Sequence, residues 1–164
     1  MADLDVLQKI VLKVFKSRTP SIIQSLVLVY SRIINNTGDE ETFDFDRVKL
    51  AELVEFLASF SIENRMGLKI LIDKWLLQQS LFRGKHTKTA TFMALTKLFL
   101  LKDKKIENLL VIGFNPSHTN INSDVCAPLK ILSTLIRCLD NECGGQKESS
   151  DSTNQNSMGE EPEE

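Results

Sequence analysis

Apolar residues three and four positions apart recur in almost every segment of this chain that carries apolar residues at all. That spacing puts side chains on one face of an α-helix and leaves little room for strands. Residues 3–16 carry Leu4, Leu7, Ile10, Val11, Val14 and Phe15 in this pattern, and Ser17-Arg18-Thr19-Pro20 stops it. Thr19 is placed to cap a second helix, with Pro20 at the first helical position, where a missing N–H costs nothing. This helix runs through Ile23, Leu26, Val27, Tyr30, Ile33 and Ile34 to the breaker Asn35-Asn36-Thr37-Gly38.

Asp46 is placed to cap a third helix with Val48, Leu50, Leu53, Val54, Leu57 and Phe60. Ser61 is placed to cap a fourth, with Met66, Leu68, Leu71, Ile72, Trp75 and Leu76. Arg83-Gly84 breaks it, and a fifth helix spans about 87–102 with Ala90, Met93, Ala94, Leu98 and Leu101 on one face. Ile106 to Ile112 fits helix or strand by pattern alone. A last helix, about 126–140, has Leu129, Leu132, Leu135, Ile136 and Leu139 on one side. Trp75, Leu71, Leu98 and Phe60 are expected in the core.

The order is helix, short loop, helix, repeated about three times at roughly 40 residues per pair, the period of HEAT and armadillo arrays. The expected fold is therefore all-α, an α-solenoid of about three antiparallel helical hairpins. In such arrays each repeat buries its apolar face only against its neighbours. The expected organisation is a helical repeat domain over 1–143, part of a larger solenoid, and a disordered acidic tail over 144–164. The tail is Gly, Gln, Ser, Asn and Glu with almost no apolar residue, so burial cannot offset its ordering entropy.

Charge is uneven. The chain carries a net −2, but residues 1–140 hold 19 Lys/Arg against 15 Asp/Glu, and residues 141–164 hold Lys147 against seven acids. The N-terminus reads as neither a signal peptide nor a transit peptide. The longest apolar runs are too short to span a bilayer. Cys126, Cys138 and Cys143 form no CxxC pair and have no nearby His, which argues against a disulfide framework or a zinc site. GxSxG, HExxH and P-loop motifs are absent from the chain, so an enzyme is not expected, and neither is a cofactor.

Two charged groups stand out as partner contacts. One is acidic, Asp39, Glu40, Glu41 and Asp44, and its simpler reading is loop and helix-cap chemistry. The other is basic: Arg83 to Lys105 holds seven basic residues against one acid, with Arg83, Lys85, Lys88, Lys102, Lys104 and Lys105 as the candidate contacts. No aromatic platform or Gly-rich cradle accompanies His86 in that stretch, so it reads as a solvated face rather than a nucleic-acid site. His118 reads as a surface residue.

Three pieces carry a resemblance: FLASFSIENRMGLKILIDKW, then LFRG, then TATFMALTKLFLLKDKKIENLLV. In order and spacing Phe60, Trp75, Gly84, Ala94, Leu98, Phe99, Asp103 and Lys104 resemble a segment near the C-terminal end of the importin-β-type nuclear transport receptors, in particular the importin nine branch. The likeness extends to SLVLVYSRIINN upstream and APLKILSTLIRCLDNE downstream, roughly residues 20–142. The resemblance implies consecutive HEAT repeats, with a helix for at least the first part of 106–112. It implies a segment of the cargo-carrying array of a receptor for basic proteins such as histones and ribosomal proteins, shuttling between cytoplasm and nucleus. Ran GTPase and nucleoporins are partners of the full-length receptor in that family; its Ran-binding N-terminal repeats have no counterpart here. The family's long acidic insertion after the helix matching 126–140, and the basic loop before that helix, are reduced here, which bears on any cargo contact there. The alternative expectation is a stand-alone helical adaptor for one protein partner, without a transport role.

Overall fold

The computed structural model describes residues 4–37, 46–113 and 124–144. The acidic group Asp39, Glu40, Glu41 and Asp44, the loop with His118 and the tail beyond 144 lie outside them. Among the described residues seven α-helices carry the fold: α1 Leu4–Lys16, α2 Pro20–Asn35, α3 Arg47–Ser59, α4 Gly67–Gln78, α5 Lys85–Leu101, α6 Lys104–Glu107 and α7 Ala127–Gly144. Among the described residues, strand is confined to two small antiparallel pairs, β1 Ser61–Ile62 with β2 Arg65–Met66 and β3 Leu110–Ile112 with β4 Asp124–Cys126. The all-α, HEAT-like expectation holds.

The layers form by helix stacking. α1 packs on both α2 and α4, and α2 lies along α5. α3 packs against α4 and α5, and α7 closes the far side against α5, α4 and α6. The α1–α2 hairpin is thus covered mainly by α4 and α5, with α3 set to one side, rather than by three hairpins stacked strictly in chain order. One core runs through the layers. Trp75, Tyr30, Val27 and Leu95 are fully buried in it, with Leu71 and Leu98 nearly so, whereas Phe60 is only partly buried.

Buried polar groups are linked across the layers. The Trp75 ring N–H donates to Gln79 Oε1 at 2.9 Å, and Gln79 Nε2 donates to Thr91 Oγ1 at 3.1 Å, tying the end of α4 to α5. Tyr30 donates its hydroxyl to the Leu7 carbonyl at 2.7 Å, joining α2 to α1. Such pairing matters because an unsatisfied buried donor costs about 1–3 kcal/mol.

The helix ends follow the chain's local chemistry in part. Asp46 caps α3, its carboxylate accepting from the N–H groups of Val48 and Lys49 at 3.1 Å each. Those hydrogen bonds, chiefly the one from Lys49, hold its carboxyl below the usual range. Thr19 stands at the start of α2 without a side-chain cap hydrogen bond.

Ser61 does not cap α4. It lies in β1, paired with Met66, and the helix begins only at Gly67. Glu63 and Asn64 make the intervening turn with φ of 48° and 62°, the left-handed pair that a two-residue hairpin needs. The Gly67 N–H then donates to the Phe60 carbonyl at 3.0 Å, closing the hairpin against α3. The segment 106–112 is split, its first part continuing the short helix α6 and its end forming β3.

Candidate interaction surface

Helix α5 separates the basic residues that stand together in sequence. At about 1.5 Å per residue, the 17 residues of Lys85–Leu101 hold its two ends about 25 Å apart. Lys85 and Lys88 sit in its first turn, Arg83 just before it, and Lys102, Lys104 and Lys105 beyond its end. Lys97, in the last third of α5, is structural: its ammonium donates to the Asn35 carbonyl at 2.8 Å, where α2 ends. A cation at a helix C-terminus complements the partial negative charge there.

The distal group lines an open groove of about 980 Å³ between α3 and the α5–α6 corner. Its charge is mixed rather than basic. Lys102 and Lys104 share it with Arg47, Glu52 and Asp103. Lys105 is paired with Glu55 across the groove, and that hydrogen bond raises its pKa. Arg47 donates to the Leu100 carbonyl at 2.7 Å and so caps α5 from α3. Lys102 itself holds the left-handed conformation that ends α5, φ 53°. An exposed, mixed-charge groove of this kind suits a polar, salt-sensitive protein contact.

The proximal group divides again. Arg83 lines a groove against the start of α2. Lys85 and Lys88 line a smaller cavity of about 240 Å³ between the first turns of α5 and the C-terminal half of α7, with Phe92, Cys138 and Leu139. Arg47, Phe92 and Leu139 have no signal in the one-dimensional charge pattern. They enter only because α3 and α7 fold back beside α5.

Beside β3, charge is locked into the seam between α4 and α7. Asp73 accepts from the Ile112 N–H at 2.9 Å and pairs with Lys69 at 3.4 Å, while Lys69 also donates to the Leu110 carbonyl. Lys130 on α7 is 7% exposed. Burial lowers its pKa, Arg137 lowers it further, and Asp73 opposes both.

Among the described residues, no cluster of three or more His, Cys, Asp or Glu side chains is arranged to hold a metal ion, and no helix is long and apolar enough to cross a membrane. Neither Cys126 nor Cys138 is in a disulfide; the side chain of Cys143 lies outside the described set.

The described residues form an all-α, HEAT-like stack with open grooves along its surface. The chain is similar to the importin subunit beta-5 of Saccharomyces cerevisiae, with 27% identity over 108 residues, 66% of this chain and 10% of the relative. It therefore spans about a tenth of the length of the curated relative it matches. The likeness is to an importin of the β type and assigns no branch. No protein-family model matches the chain.

Proposed function

We propose that this chain is a late helical segment of an importin-β-type nuclear transport receptor of the importin nine branch, and that it contributes to holding basic protein cargo such as histones and ribosomal proteins. The observation that carries the reading is the 108-residue similarity to yeast importin subunit beta-5. It coincides with a stack of helices whose grooves are open and mixed in charge, which supports the reading from the physical side.

Transport of this kind needs no covalent chemistry. Cargo is held by charge complementarity spread over a wide surface and is released when the receptor changes partners. On this reading the chain works between cytoplasm and nucleus. The full-length receptor uses Ran-GTP to unload and nucleoporins to cross the pore. This segment contacts cargo and not Ran. Asp39, Glu40, Glu41 and Asp44 are the proposed contacts for basic cargo, together with the groove acids Glu52 and Glu55.

Titration of the labelled chain with a core histone dimer at two salt concentrations tests the proposal. Few and exposed charges are screened over about 8 Å at physiological ionic strength. The expected Kd is therefore micromolar at best and weakens at least tenfold on going from 50 to 200 mM salt. No binding at low salt, or measurable binding of Ran-GTP to the chain alone, refutes the assignment.

A further inference from the structure

Helix α7 carries two apolar stripes whose centres lie about 120° apart, and only one of them meets the core. Ala127, Ile131 and Leu135 are buried against α4 and α5. Leu129, Leu132, Ile136 and Leu139 are 56%, 40%, 52% and 52% exposed. At about 100° per residue, these four fall within about 80° of one another, on a stripe that flanks the buried one and faces outward. Their spacing of three, four and three is the seam of a helix that pairs with another single helix.

The stripe does not end in open solvent. Leu139, its last member, is also a wall of the 240 Å³ cavity that holds Lys85, Lys88 and Phe92. That cavity takes the first turn of α5, where the helix dipole adds positive potential to the lysines. Around α7, Cys138 and Asn141 face the cavity, and Asp140 projects on the other flank of Leu139. One end of the apolar seam is therefore electropositive on its α5 side.

We infer that this surface docks an amphipathic helix with acidic residues in its first turn, lying antiparallel to α7. Its apolar stripe packs on Leu129, Leu132, Ile136 and Leu139. Its acidic end enters the Lys85 cavity, where a carboxylate meets the lysine and the dipole of α5 while complementing the dipole of its own helix. The partner is of opposite charge to the basic cargo proposed above, and the surface differs from the mixed-charge groove, so the two readings stand or fall separately.

The test uses two synthetic 18-residue helical peptides with the same Leu stripe, one with Glu and one with Lys in the first turn. Binding to the full chain is read by fluorescence anisotropy. The expected result is at least tenfold preference for the Glu peptide. Ile136→Asp lowers its affinity at least tenfold, and Lys85→Glu shifts the preference to the Lys peptide. Ile136 is exposed, so the variant should keep its far-ultraviolet dichroism and Tm, which separates lost docking from lost fold. Failure to bind either peptide, or equal binding of both, overturns the inference. Sedimentation of the chain as a dimer that Ile136→Asp dissolves also overturns it, because the seam then belongs to a second copy.

Discussion

Gly67→Ala is a sharp probe of how α3 and α4 are joined. A Cβ at residue 67 would lie 2.5 Å from two ring carbons of Phe60 and 2.9 Å from the Leu57 carbonyl oxygen. The ring can give, because Phe60 is only partly buried. The carbonyl cannot give easily, because it belongs to the last turns of α3. Overpacking of this kind costs about 1–3 kcal/mol. Against it stands the gain of replacing glycine by alanine, about 0.4–1 kcal/mol, which is weakest in a first helical turn.

The net expectation for Gly67→Ala is a loss of about 1–2 kcal/mol, or roughly 2–8 °C in Tm for a domain of this size. Urea and thermal melts followed by far-ultraviolet dichroism measure it. The pair Gly67→Ala and Phe60→Ala supplies the control. Phe60→Ala alone loses the ring contact with Phe56, whose centroid is 5.3 Å away, but it also makes room for the new methyl. The double variant should therefore be more stable than the sum of the two losses predicts. An unchanged or raised Tm in Gly67→Ala, or strict additivity in the pair, refutes the close approach of the two helices.

Two further outcomes follow from the same structure. Burial raises the pKa of Tyr30, the chain's one tyrosine, well above its usual value near 10. The native state therefore keeps its proton where the unfolded chain has lost it. Stability from this group is intact below about pH 10 and falls by about 1.4 kcal/mol per pH unit above it; urea midpoints at pH 9 and 11 should fall further in the parent than in Tyr30→Phe, and equal falls contradict the burial. Lys102 holds φ 53° at the end of α5, where a non-glycine residue carries a cost of about 1 kcal/mol. Lys102→Gly should therefore raise the urea midpoint, and a lowered midpoint means that the lysine side chain holds the corner.

The helices were legible because a period of 3.6 is written in the apolar residues themselves. Helices α1 and α2 lie where Leu7, Val11, Val14, Ile23, Val27 and Ile34 place them, and Asp46 caps α3 by the chemistry its position suggests. Ser61 was misleading because the turn that delays α4 is made by Glu63 and Asn64, without the Asn-Gly or Asp-Gly signature of such hairpins. The position of Gly67, pressed against Phe60, was the available signal.

On α7 the period was readable but the orientation was not. Leu129, Leu132, Ile136 and Leu139 form one apolar stripe, Ala127, Ile131 and Leu135 another, and only packing decides which is core. Charge behaved differently again. Seven basic residues form one run in sequence, yet α5 sends them to opposite ends, and Lys97 is spent on the end of α2. Adjacency in the chain says little about adjacency on a helix several turns long.

Segment exchange asks whether this chain serves as a layer of such a receptor. The 108 aligned residues of yeast importin subunit beta-5 are replaced by the matching stretch of this chain, and nuclear accumulation of a histone reporter is measured in cells that lack the parent receptor. A chimera with the parent's helical content and Tm should restore accumulation, if this chain is a cargo-bearing layer of such a receptor. A chimera that folds as the parent does but leaves the reporter in the cytoplasm contradicts the account.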